Sequence, residues 1–157
     1  MENVEDLVVN ILMEKEYHIA FAESITGGLC AAKLINVPNA SRVLNESFVT
    51  YSNEAKMKYL NVSKQTIDLY GVVSEDVAYE MALGVCEATG AEVGVGVTGI
   101  AGPSTDGNVP IGNVCFGVCV NGVVTTQIIS FKDIGRNNVR KAAADYAFEM
   151  LLSILKW

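Results

Sequence analysis

The chain has 157 residues, 50% hydrophobic and 18% charged, with a net charge of −7 at pH 7. A chain near this length favours one domain that buries about 68–70% of its unfolded surface, and the apolar content excludes a disordered chain. The negative balance argues against broad nucleic-acid binding, which relies on Lys and Arg neutralising phosphates.

The N-terminus, Met1 to Asp6, is acidic and unlike a secretory signal, and no apolar run approaches the ~18–20 residues of a membrane span. A cytoplasmic protein with no membrane partner is expected. Val4, Leu7, Val8, Ile11 and Leu12 recur at helical spacing and predict a first helix ending near Glu16. Ile19 to Ala22 reads as a short strand and Gly28 to Asn36 as a helix. Pro38-Asn39-Ala40-Ser41 is a turn, and Val43 to Tyr51 reads mostly as strand. Asn53 to Leu60 is predicted helical. Ser63 is placed to cap a short helix to Tyr70, and Ser74 a longer one that stops at Gly90.

Glu92 to Thr98 has a buried-strand pattern, and Gly99 to Pro110 is a Gly/Pro/Ser/Asp loop. Asn121-Gly122 between Val114–Val120 and Val123–Phe131 is a hairpin signal, and Gly135 to Trp157 closes with a long helix. The pattern is α/β: an antiparallel hairpin added to a partly parallel sheet, with helices on both faces making three layers. No linker or repeat divides residues 1–157, so a single domain is expected.

None of the four cysteines, Cys30, Cys86, Cys115 and Cys119, forms a C-x-x-C pair. Cys115 and Cys119 fall about 13 Å apart on one strand, too far to bridge. With a single histidine, His18, a zinc site has no support; the thiols read as small buried groups in a reducing compartment.

Gly94-Val95-Gly96-Val97-Thr98-Gly99 matches G-x-G-x-x-G, yet a dinucleotide fingerprint needs its glycines after a strand and opening a helix. Here they lie inside the strand pattern, where glycines let another element pack closely. Two turns carry more chemistry. In Ala22-Glu23-Ser24-Ile25-Thr26-Gly27-Gly28 a hydroxyl sits between a strand and a helix, beside backbone N–H groups available to an anion. Thr98 to Pro103 also follows a strand, and ligands of open α/β sheets sit beyond strand carboxyl ends; an ordinary Gly/Pro turn is the alternative.

Ser24 needs a base. His18 precedes the strand and gives a histidine triad poor support, which leaves Lys56 or Tyr51 in Phe48–Lys56. The plain alternative for that segment is a helix cap with a solvated lysine. A free lysine titrates at about 10.4, and a useful base sits near 7–8, so burial or a helix N-terminus must lower it by about 3 units. Glu23 or Glu54 nearby would oppose that shift, so Lys56 is expected out of ion-pair reach of both.

A-E-S-I-T-G-G, F-V-T-Y-S-N-E-A-K, G-V-V-S-E-D-V-A and T-G-I-A-G-P follow in this order, and over nearly its whole length the chain resembles the CinA C-terminal domain family, the nicotinamide-nucleotide amidohydrolases. The resemblance implies a three-layer α/β/α sandwich with a mixed, mostly parallel sheet and an antiparallel C-terminal hairpin, in the stand-alone form. It implies hydrolysis of nicotinamide mononucleotide to nicotinate mononucleotide and ammonia, a homo-oligomer, and no metal or cofactor. Ser24 takes the nucleophile position, and Tyr51 and Lys56 the polar partners. Thr98, Gly99 and Gly102 match the substrate loop. Arg140 matches a phosphate-binding position, with Arg136 the second candidate. Backbone N–H groups of Thr26, Gly27 and Gly28 are the expected oxyanion donors.

The chain departs from the family pattern at Ile25, which stands where a Cys is usual, and at Asn45-Glu46-Ser47, which replaces Glu-Arg-Gly. Its Ser104–Val109 loop is also shorter than usual and lacks the common Lys before Pro110. These changes bear on phosphate contacts more than on the nucleophile. They leave two alternatives: a non-catalytic nucleotide-binding module of the same fold, and an amidase for another small amide.

Overall fold

The computed structural model describes residues 2–157. In chain order it contains α1 (Val4–Lys15), β1 (Ile19–Glu23), α2 (Leu29–Ile35), a 3-10 turn (Ala40–Arg42), β2 (Phe48–Val49), α3 (Asn53–Leu60), α4 (Lys64–Tyr70), α5 (Glu75–Thr89), β3 (Val93–Gly99), β4 (Asn113–Val120), β5 (Val123–Ser130) and α6 (Arg136–Leu155). The sheet order is β2-β1-β3-β4-β5. β1 pairs parallel with β2 and β3, and β4 pairs antiparallel with β3 and β5. Four strands therefore share one direction and only β4 runs against them, so the sheet is mixed with a C-terminal hairpin.

Strand periodicity explains the layers. Phe21, Val93, Val95, Val97, Val114, Phe116 and Val118 face the core shared with α1, α2 and α6, where Phe21 stacks on Phe148 at 5.8 Å. The alternate positions face α5 and are small. A Cβ on Gly94 would stand 2.4 Å from the Ala82 carbonyl oxygen, and one on Gly117 2.4 Å from that of Ala78. The β3 glycines thus act as expected: they let a helix lie almost on the backbone of the sheet. α3 and α4 pack against α5 and complete that third layer.

The segment Val43–Tyr51 corrects the sequence reading. Only Phe48–Val49 is strand, with one isolated bridge from Leu44 to Ile19. Polar Asn45-Glu46-Ser47 interrupts it, and the Ser47 hydroxyl accepts from Phe21 N at 3.0 Å, taking the place of a ladder bond. Ser74 caps α5 through Val77 N, whereas the Ser63 side chain makes no cap bond to α4; Ser63 N instead donates to Glu80. Among the described residues no helix is long and apolar enough to cross a membrane.

Candidate active site

β1 ends at Glu23 opposite Val97, two residues before the end of β3, and Ser24 N donates to Val97 O at 3.1 Å. The Ser24 turn and the loop after β3 are therefore neighbours at the carboxyl ends of parallel strands. The β2–α3 connection and the start of α6 complete a cleft of about 270 Å³. Ser24, Ile25, Tyr51, Lys56, Thr98, Gly99, Gly102, Asp106 and Arg136 are among the residues that line it.

Ser52 caps α3 by accepting from Ala55 N, which sets Lys56 in the first turns of the helix. Lys56 is 1% exposed. Its Nζ lies 3.2 Å from Ser24 Oγ and 2.8 Å from Thr50 O, with Tyr51 O at 3.4 Å. Burial lowers its pKa from 10.5 to about 8, and among the described residues no carboxylate forms an ion pair with it. The amine is thus held against the hydroxyl by neutral carbonyls alone, in a protonation balance suited to taking and returning a proton near neutral pH.

Glu23, also 1% exposed, occupies the place expected for a bound anion. Its carboxylate accepts from Gly28 N at 3.2 Å, Cys30 N at 2.9 Å and Ala31 N at 3.1 Å. Gly27 N donates to Ser24 O. This corrects the expectation for Gly27 and Gly28: both amides are committed within the protein and hold the turn rather than a substrate oxygen. Gly27 sits at φ 57°, and a Cβ there would stand 3.3 Å from Arg140 Nη2.

The two arginines divide unlike the expectation. Arg140 lies outside the cleft lining, with Nε donating to Ile25 O at 3.0 Å, Nη2 to Thr26 O at 3.4 Å and Nη1 to Asn137 Oδ1 at 3.2 Å. Arg136, one helical turn earlier, lines the cleft and bridges Gly102 O (2.6 Å) to the Tyr51 hydroxyl (3.2 Å). The Tyr51 phenol is mostly exposed and turned to Arg136, so it does not link Lys56 to Ser24. Thr98 is buried and donates from Oγ1 to Val72 O at 3.0 Å.

Other candidates fall elsewhere. His18 enters β1 from the opposite end, where its amide donates to Glu92, and Asn45 and Glu46 line a small hollow beside it. The departure at Asn45-Glu46-Ser47 is therefore remote from the cleft. The Cys115 thiol is pushed up to about 12 by burial, helped by Glu75 and Asp76, and burial also raises Cys30 and Cys86. None of the four cysteines lines the cleft. Sequence reasoning missed Val72, Val73, Asn53 and Asp106 as lining residues. It also missed Glu23 as the cap of α2, although a carboxylate five residues before the Gly28 amide was a usable signal.

Fold and cleft define a class: a mixed α/β domain with a serine–lysine pair where its parallel strands end. The CinA C-terminal domain profile matches residues 1–155. A CinA-like protein of Kosmotoga olearia is 42% identical over 152 residues, covering 96% of this chain and 36% of its own length. The chain thus spans about a third of the length of the curated relatives it matches. Among solved structures, a CinA-superfamily protein from Escherichia coli aligns with a TM-score of 0.90 at 33% identity, covering 97% of this chain and 90% of that one. The competence/damage inducible protein CihA from Agrobacterium tumefaciens aligns with a TM-score of 0.90 at 35% identity, covering 100% and 98%. The chain belongs to the CinA C-terminal domain family.

Proposed function

We propose that this domain is an amidohydrolase that converts nicotinamide mononucleotide and water to nicotinate mononucleotide and ammonia. The observation that carries the reading is the 3.2 Å contact between Ser24 Oγ and a buried Lys56 Nζ whose pKa is lowered to about 8. With Lys56 neutral, Ser24 Oγ attacks the carboxamide carbon while its proton passes to Nζ. The tetrahedral oxyanion collapses, the C–N bond breaks, and the Lys56 ammonium returns the proton to the departing nitrogen, releasing ammonia. Water then attacks the acyl-serine ester, with Lys56 again taking the proton; the ester bond breaks, Ser24 regains its hydrogen, and the carboxylate product leaves. Tyr51 shapes the mouth of the cleft rather than relaying protons.

Arg136 is the cation best placed for the substrate phosphate, since it lines the cleft and only two of its donor nitrogens are engaged by the protein. Thr98, Gly99 and Gly102 line the cleft beside Ser24, and Ser104–Asp106 line it further along the same loop. A homo-oligomer acting in the cytoplasm belongs to the same reading.

The test is direct. Purified protein without added metal is given nicotinamide mononucleotide, NAD, nicotinamide and glutamine while ammonia is followed. The expected result is ammonia from nicotinamide mononucleotide, abolished in Ser24→Ala and Lys56→Ala. Release only from another amide moves the substrate. No release from any of them favours a nucleotide-binding module.

A further inference from the structure

Charge in the cleft is of both signs. Of the residues that line it, Lys56 and Arg136 are basic and Asp106 carries the single carboxylate. In the state that attacks, Lys56 is neutral, which leaves Arg136 and Asp106 as the two charges of the lining. They do not neutralise each other. Arg136 donates from Nη1 to Gly102 O and from Nη2 to the Tyr51 hydroxyl, and among the described residues the Asp106 carboxylate has no ion-pair partner. Its own loop does not answer it either, since Ser104–Val109 contains no Lys or Arg.

The backbone holds Asp106 in place. Val109 N donates to Asp106 O at 3.2 Å, the two residues form an isolated antiparallel bridge, and Gly107 takes φ 59° in the tight turn between them. Among the described residues no three His, Cys, Asp or Glu side chains gather into a metal-binding group, so Asp106 lacks the co-ligands that a divalent cation needs. An unpaired carboxylate lining an otherwise cationic cleft suits an organic cation instead. The substrate of the proposed reaction carries one. N-glycosylation gives the pyridine nitrogen of nicotinamide mononucleotide a fixed positive charge, in the same ring that bears the carboxamide. Free nicotinamide has no such charge.

We propose that Asp106 is a specificity-determining residue: its carboxylate faces the pyridinium ring, so that the cleft selects a carboxamide on a cationic ring over the same carboxamide on a neutral one. The inference rests on the amidohydrolase reading for its ligand. Its test reads binding rather than turnover, so the two can fail separately.

Calorimetry compares nicotinamide mononucleotide with its dihydropyridine form, which keeps the carboxamide, ribose and phosphate and loses the ring charge. Ser24→Ala serves as the background, so that nothing is turned over. Adding Asp106→Asn should raise Kd for the cationic form about three- to tenfold, the scale of one charge pair at an exposed site, and leave the neutral form within about twofold. Asp106→Glu, which keeps the charge, should restore most of the affinity, and added salt should shrink the difference between the two forms. Equal losses for both forms would place Asp106 on the ribose or in loop packing, and no loss for either would make it a solvated surface charge; each result overturns the proposal. A background protein that binds neither form overturns this proposal and the substrate reading together. Charge-selective binding in a wild type that releases no ammonia overturns only the amidohydrolase reading.

Discussion

Lys56 Nζ lies 3.2 Å from Ser24 Oγ while a second hydrogen bond, 2.8 Å to Thr50 O, anchors it to the end of the neighbouring strand. The hydroxyl at the end of β1 and the amine on α3 are thus tied together through the residue that follows β2. Below about pH 8 the amine is protonated and cannot take the serine proton; above it, it can. kcat/KM is expected to rise about tenfold per pH unit on the acidic side and to level off near the lysine pKa. A rate that stays flat from about pH 6 to 9 would remove Lys56 from the base role.

The same burial links Lys56 to stability. Its folded pKa, about 8, lies below the ordinary 10.5, so the unfolded chain binds the proton more tightly. The penalty is full below the lower value and disappears as pH rises through the upper one. Wild type should gain stability relative to Lys56→Met across that window in urea titrations. A constant difference between the two would contradict a buried ammonium.

Arg136→Gln removes the cation that ties Gly102 O to Tyr51 at the mouth of the cleft. KM for nicotinamide mononucleotide should rise about tenfold or more, the scale of a lost charged hydrogen bond, while the dephosphorylated riboside is little affected. Tyr51→Phe, which leaves the guanidinium in place, should change KM much less. Equal losses for both substrates in Arg136→Gln would place the phosphate elsewhere.

Gly94→Ala and Gly117→Ala each push a Cβ to 2.4 Å from a carbonyl oxygen of α5. The helix must lift from the sheet, at a cost of about 1–3 kcal/mol. A clear fall in Tm is expected for each. Gly107→Ala, with nothing within 4 Å of the added carbon but φ at 59°, isolates the backbone cost without the clash. A Tm unchanged in Gly94→Ala would mean that α5 does not rest on the sheet this closely.

Local signals carried most of the site. Ser24 is legible because a short apolar strand and a helical pattern bracket it, and Lys56 because a capping serine four residues earlier fixes its place on α3. β2 was misread because Val43–Tyr51 is rich in β-formers, whereas it lies at a sheet edge where side chains such as Ser47 satisfy the ladder. Arg136 and Arg140 are one helical turn apart on the same face. Which of them reaches the cleft depends on how α6 docks against α1, α2 and the sheet, and no short-range pattern encodes that.

The excursion between β3 and β4 is tied at its base by Ile100 N to Asn113 O and Gly112 N to Ile100 O, directly above the last rung joining Gly99 to Val114. Whatever happens in residues 103 to 110 therefore stops at that knot, and the strands below keep their register. Insertions or deletions there can reshape the rim of the binding cleft at little thermodynamic expense to the scaffold, which makes this stretch the natural place to graft new selectivity onto an unchanged reaction centre.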